Sequence, residues 1–476
     1  MKSIWEQDVQ IPSRESLKSD IQTKVAVVGA GMAGALIGYF LKKRGISCVI
    51  LEANRIGSGQ TGHTTAKITL QHGLIYDGLI RNFGEEKASQ YAEANRRTID
   101  EYRRIIKEEQ VDCMFEERSA FLYSCGDTEL LEKELSAAHR LGIQAEITKE
   151  TDLPFEIAGA LKFNGQAQFH PLKFLQAITE QLEIYENTRV MELLENELLT
   201  EHGKVTAEKI VIASHFPFIN TPGYYFMRMH QERSYVLALE NAPQLSGMYL
   251  GIDEDGLSFR SSGGFLLMGG GGHRTGENSV SGKYEELRRA AKKYFPESRE
   301  AAHWSAQDCI PMDDVPYIGQ FSSSTPDVYV ATGFQKWGMT SSMVSAMAIS
   351  ELIAGNAHPY PVFSPQRFHL SASAKQLVQD GIKAVKGISA ELFSIPAEQE
   401  KELLCGHGGI VECESKKMGV YKNEDGEVFV VSVRCPHLGC QLEWNPDELS
   451  WDCPCHGSRF DYTGKLLDNP AQNDLD

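Results

Sequence analysis

The sequence predicts an α/β chain with a second, antiparallel portion threaded through it and a separate small unit at its C-terminal end. Three observations carry that expectation. Val25, Ala26, Val27 and Val28 lead into Gly29-Ala-Gly31-Met-Ala-Gly34, then an apolar helical run, then a second apolar run ending at Glu52. Residues 224–325 contain alternating apolar stretches, as at 235–239 and 265–268, the pattern of antiparallel strands. Residues 435–458 hold two short loops, Cys-Pro-His-Leu-Gly-Cys and Cys-Pro-Cys-His-Gly-Ser, behind a β-prone run at 428–433.

Bulk properties set the frame. A chain of 476 residues can bury large cores and form two or three domains. Its 42% apolar and 24% charged residues suit a soluble globular protein. No run of eighteen apolar residues occurs and residues 1–23 lack an apolar signal core, so no transmembrane segment is expected and a cytoplasmic location is. A net charge of −18 disfavours nucleic acid as a partner. Residues 397–476 carry 16 acidic against 7 basic side chains, net −9, read as a solvated acidic face, with docking of a basic electron carrier as the sharper alternative.

The first motif has a mechanical reading at every position. Gly29 permits the tight turn, Gly31 lets the backbone approach a pyrophosphate, and Gly34 lets helix and strand pack closely. The helix N-terminus offers free N–H groups to phosphates, and Glu52 can accept hydrogen bonds from a ribose. A dinucleotide site follows. The next Gly-x-Gly-x-x-Gly, 57–62, has no strand feeding it and reads as a loop. Residues 57–67, Gly-Ser-Gly-Gln-Thr-Gly-His-Thr-Thr-Ala-Lys, resemble the FAD loop of the D-amino-acid oxidase/glycine oxidase superfamily. That resemblance implies FAD contacts at Thr61 and His63. In some relatives similar to dimethylglycine dehydrogenase a histidine here links FAD covalently, although one matching residue favours a non-covalent His63.

Further along, 76–141 is charged and helical in spacing, with Ile99, Tyr102 and Ile106 on one face, and 120–190 reads as mixed strands and helices. His170, in a segment similar to the superfamily's hinge, reads as a packed or capping residue rather than a base. Arg189-Val190 and 209–213 look like returning strands of the FAD domain, which puts Val190 at the cofactor. Gly269 to Gly272 and 310–319 resemble two more landmarks of the superfamily, and no second dinucleotide motif marks an NAD site. The run 328–334 breaks at Gly333 before a Met-, Ser- and Ala-rich helix, like the superfamily's last FAD segment, implying contacts from Gly333, Met339 and Thr340. Lys336-Trp337-Gly338 departs from the Gly-His-Gly usual there, so no catalytic residue is carried over. Residues 371–396 suggest a linker helix between an oxidoreductase unit, 1–370, and a C-terminal unit, 397–476.

Each C-terminal loop offers one thiolate and one imidazole: Cys435 with His437, Cys453 with His456. Two sulfurs and two nitrogens also suit zinc, so ligand type alone leaves the metal open. The spacing is not the zinc-finger pattern. With Gly426, Trp444, Trp451-Asp452, Gly464 and Pro470 around them, the loops resemble the Rieske family. The resemblance implies a [2Fe–2S] cluster on these four residues and a disulfide between Cys440 and Cys455, while the other six cysteines scatter as cytosolic thiols do. It also places Ser458 and Phe460 where respiratory Rieske proteins carry two hydroxyl donors to the cluster, leaving one donor absent. No Asp-x-x-His-x-x-x-His site for a mononuclear iron occurs, which argues against an oxygenase. The whole is similar to bacterial FAD-dependent oxidoreductases fused to a Rieske domain: an α/β FAD-binding Rossmann-like domain, an interleaved α+β substrate domain and a small all-β Rieske domain. The implied function is oxidation of an amine, amino acid or related small molecule, with electrons passing from FAD to the cluster and on to an unidentified acceptor. A non-catalytic relay or sensor built on the same two cofactors is the alternative.

Overall fold

A computed structural model describes residues 2–367, 403–413 and 416–476; the 371–396 segment expected as a linker helix lies outside them. An eight-stranded sheet is built around Ile21–Val28, whose last four residues are buried on both faces, as a covered parallel strand requires. It pairs in parallel with Cys48–Leu51 on one side and Gly203–Ile212 on the other. Glu183–Tyr185 and Thr325–Thr332 extend the parallel order outward, and Tyr317–Ser322 closes one edge antiparallel. The returning strands lie at Val190–Leu194 and Gly203–Ile212.

The helices Met32–Lys43 and Gly338–Ile353 pack together against this sheet and are buried almost throughout. The second is rich in serine, yet its burial is tolerable because hydroxyls return to carbonyls of their own helix: Ser345 Oγ donates to Ser341 O at 2.7 Å and Ser350 Oγ to Met347 O at 3.3 Å.

A nine-stranded sheet forms the second layer, antiparallel except where Gly247–Gly251 runs parallel to Glu116–Ser124. The alternating stretches at 235–239 and 265–268 are parts of longer strands, Met229–Glu240 and Phe265–Arg274, and the four glycines 269–272 continue the latter. The expectation of helix across 76–141 needs correction. Helices Tyr76–Phe83, Glu85–Glu108 and Glu129–Arg140 are present, but Glu116–Ser124 is a strand between them. Its charged first half resembles a solvated helix, and only residues 120–124 are buried continuously. The 57–67 segment also holds one helical turn, Gln60–His63, where a plain loop was expected.

The C-terminal unit is all β: a three-stranded sheet of His407–Cys413, Lys416–Lys422 and Val428–Ser432, and a four-stranded one from Glu443–Asn445 to Leu466–Asp468. Tyr421, Trp444 and Trp451 fill it, with ring centroids 5.1 Å and 4.8 Å apart along that series. Among the described residues, no helix is long and apolar enough to cross a membrane.

Candidate functional site

Between the two large sheets lies a cavity of about 1190 Å³. Gly29, Gly31, Glu52, Thr61, His63, Val190 and Met339, all expected at a dinucleotide, line it. Gly29 has φ +105°, and a Cβ added there would stand 2.6 Å from Ala213 O. Beyond the turn the helix N-terminus faces the cavity, with Met32 N–H donating to Thr61 Oγ1 at 2.9 Å. Glu52 accepts from Ala30 N–H at 2.7 Å and Asn54 N–H at 2.9 Å, so the acidic strand end is pinned to the glycine turn. Burial pushes its carboxyl up, with these donors opposing. Volume, glycine turn, helix end and carboxylate together fit a dinucleotide cofactor.

Three expected residues do not line the cavity. Gly34 lies beneath it, where an added Cβ would fall 1.9 Å from Gly29 O, so its role is packing. Gly333, at φ +71°, turns the chain against Pro311. Thr340 is fully buried with its hydroxyl 3.0 Å from His72 Nε2, directed at helix packing rather than at a ligand. His170 is a cap, accepting Lys173 N–H at its Nδ1 at 3.2 Å.

Two indoles brace the 57–67 loop: Trp5 Nε1–H donates to Thr64 O and Trp304 Nε1–H to His63 O, each at 2.8 Å. Trp5 comes from a short N-terminal helix, Ile4–Asp8, that the sequence reading passed over although Ser3 and Glu6 form a capping box. His63 Nδ1 lies 2.9 Å from Gly59 O. Also missed were Lys67, Glu232, Ser234 and Asp308 in the cavity wall. Lys67 Nζ donates to Ser258 Oγ at 2.6 Å, and burial, with Arg260 nearby, brings its amine down to about 7.

In the C-terminal unit the two loops meet. Cys440 and Cys455 form a disulfide with Cα atoms 6.6 Å apart. Cys435 and Cys453 are buried and close: a hydrogen bond from Cys453, with Ser458 assisting against desolvation, brings the Cys435 thiol down to about 7. The His437 and His456 rings sit with centroids 5.0 Å apart. Each has a buried Nδ1 without a hydrogen-bond partner among the described residues. Asn220 Oδ1 accepts from His437 Nε2 at 2.8 Å, which leaves the Nδ1 lone pair free, and burial lowers both imidazoles, to about 4 and about 3, keeping them neutral. Two thiols and two unsatisfied nitrogens on facing loops fit a mixed sulfur–nitrogen metal centre.

A family model for FAD-dependent oxidoreductases matches residues 24–352. The chain belongs to that family. A Rieske [2Fe-2S] domain model matches residues 394–476, so this enzyme joins an FAD-binding unit to a cluster-binding one. It is 36% identical over 500 residues to YhfW of Bacillus subtilis, described as a Rieske 2Fe-2S iron-sulfur protein, covering 100% of this chain and 98% of that one. It is 22% identical to the gamma-glutamylputrescine oxidoreductase of Escherichia coli over 74% of this chain and 88% of that protein. The fold is shared with glycine oxidase from Geobacillus kaustophilus, at TM-score 0.62 and 21% identity, covering 73% of this chain and 99% of that one. L-proline dehydrogenase from P. horikoshii also gives TM-score 0.62, at 17% identity over 74% of this chain and 98% of that one.

The oxidoreductase and Rieske units meet across two strands, Met229–Glu240 and Arg299–Pro311. Successive side chains of a strand point to opposite faces. Glu232, Ser234, Ala306 and Asp308 line the cavity, whereas Gln231, Arg233, Ser305 and Gln307 bond to the Rieske unit or to each other beneath it. Gln231 Nε2 donates to His456 O at 2.7 Å and Asn469 O at 3.0 Å, while Gln307 Nε2 donates to Gln231 Oε1 at 2.7 Å and Gly457 O at 2.9 Å. Arg233, 2% exposed, pairs with Glu448, which Arg459 also approaches at 3.2 Å. Glycines make the fit close: Cβ atoms added at Gly276 and Gly457 would each stand 2.6 Å from the opposing unit, at Pro454 Cα and Gln231 Cβ.

Proposed function

We propose that this enzyme oxidises a small amine or related nitrogen compound and passes the electrons from FAD through its own cluster to an external acceptor. Gly29, Gly31, Glu52 and the Thr61 loop would hold the FAD; Cys435, His437, Cys453 and His456 would hold the cluster. FAD supplies a two-electron acceptor for the substrate's hydride, and a Rieske centre passes electrons singly. One observation carries the reading: cofactor cavity and cluster loops occupy opposite faces of the same two strands, joined by the Gln307–Gln231–His456 hydrogen bonds. The E. coli relative named for gamma-glutamylputrescine supports an amine.

The chain's residues act by placement. Trp5 and Trp304 fix the FAD loop. Asn220 fixes the His437 tautomer, and Gln231 holds the His456 loop against the sheet. Anaerobic mixing with a panel of amines and amino acids tests the reading. Flavin bleaching followed by the spectral change of a reduced cluster is expected. Replacing Gln231 with Leu should slow the second phase about ten-fold or more while both cofactors stay bound. Failure of every compound to bleach the flavin would favour a non-catalytic relay.

A further inference from the structure

We propose that Asp308, with Ser234 and Glu232 beside it, is the cation-binding end of the cavity, and that the substrate enters it as an ammonium group. This rests on the amine-oxidation reading above and narrows it: the charge recognised is the substrate's nitrogen, not a carboxylate.

Glu232 and Asp308 are direct cross-strand partners, and both point into the cavity. Their situations differ. Glu232 is satisfied, with Lys336 Nζ at 3.2 Å and His230 Nε2 at 3.4 Å; burial alone would raise its carboxyl, but these two neighbours hold it at about 2. Asp308 accepts no side-chain hydrogen bond among the described residues. One step along the same face, the Ser234 hydroxyl is buried and likewise has no partner. A carboxylate and a hydroxyl therefore face the same space with acceptor capacity that the protein does not fill.

Acceptors left unfilled in a site that a ligand dries are costly, and the ligand that cancels the cost must bring donors and positive charge. An ammonium group does both, with up to three N–H donors. A substrate carboxylate placed at this end would meet Asp308 and Glu232, where Lys336 is already paired to Glu232. A metal ion is a poorer fit, since that same ammonium of Lys336 lies at the site. Burial raises the Asp308 carboxyl to about 7, with Lys336 opposing, and a bound cation would reverse that shift. The glycines 269–272 on the adjoining strand also line the cavity.

The test uses the holoenzyme and titrates its flavin absorbance with n-butylammonium, n-butanol and butyrate. Saturable change with butylammonium, and none with butyrate, is expected. Asp308→Asn should weaken butylammonium binding about ten-fold or more at unchanged FAD content, and Asp308→Glu should retain most of it. Butyrate binding in place of butylammonium, no saturable change with butylammonium, or wild-type affinity in Asp308→Asn would overturn the proposal. Flavin bleaching by the amine panel is read separately, so a cation site without oxidation, or oxidation of compounds that do not need Asp308, can be told apart.

Discussion

The two cofactor sites are built on opposite plans. The cavity is assembled around a glycine turn from residues gathered along the whole chain, from Gly29 to Met339 and on to Asp468 and Asn469 of the Rieske unit. The proposed cluster site is made of side chains, all within residues 435–458 and cross-linked by Cys440–Cys455. A site of local side chains depends on a few atoms and fails one residue at a time. A site assembled along the whole chain depends on the packing beneath it and fails when that packing does.

The sharpest break of that contrast is His437→Ala or His456→Ala. Each removes a ligand outright, so iron and sulfide should fall to near zero while FAD stays bound; zinc with no cluster absorbance in the native protein would refute the assignment. Second is Gly34→Val, whose Cβ would overlap Gly29 O. It should cost about 3 kcal/mol or more and release FAD, although Gly34 itself does not touch the cavity. Thermal unfolding and flavin release measure it, and normal FAD affinity would contradict the packing account.

Third, Arg233→Ala leaves Glu448 buried without its bidentate partner and should cost about 3–5 kcal/mol, seen as separate melting of the two units. The same contact predicts an acid limit. Burial opposes it, but Arg233 and Arg459 hold the Glu448 carboxyl at about 2, against an ordinary 4.5. A depressed folded value means that the stabilisation is complete above about 4.5 and is lost as pH falls towards 2. Proteolysis between the units should accelerate across that window, and Glu448→Gln should remove the dependence. The smallest effect belongs to Phe460→Tyr. Phe460 is buried in the core that holds Cys435 and Cys453, and Ser458 Oγ, beside the Cys435 thiol, accepts Ala471 N–H at 3.0 Å. If the new hydroxyl reaches the cluster, a bond differing by about 1 kcal/mol between oxidation states raises the potential by roughly 40 mV. Voltammetry showing no rise would place residue 460 away from the cluster.

The same contrast explains what could be read beforehand. The Rieske unit and the Cys440–Cys455 disulfide were legible because their chemistry and spacing coincide in one stretch. The dinucleotide turn was legible because strand, glycines, helix and Glu52 follow one another. Thr340 was misplaced because adjacency to a cofactor helix says nothing about which side of it a residue occupies; its hydroxyl goes to His72. Asp308 and Glu232 left no local mark, since their meeting is made by strands some seventy residues apart in sequence. Gln231 and Gln307 look like ordinary strand polars until the Rieske unit is in place. The Ser3–Glu6 capping box was visible in the sequence, but its use, carrying Trp5 to the FAD loop, is tertiary.

The strand Met229–Glu240 carries a further consequence. Over residues 231–234 its two faces serve different cofactors, so the numbering there is an address code with only two values, odd and even. Inserting a single residue ahead of Gln231 would send the glutamine and Arg233 into the cavity and deliver Glu232 and Ser234 to the Rieske loops, exchanging every address at once. Inserting two would restore each side chain to its proper face, displaced along the strand. A pair of insertion variants should therefore differ in kind: the odd one loses both the cavity's polar wall and the interface, while the even one retains the sidedness of each.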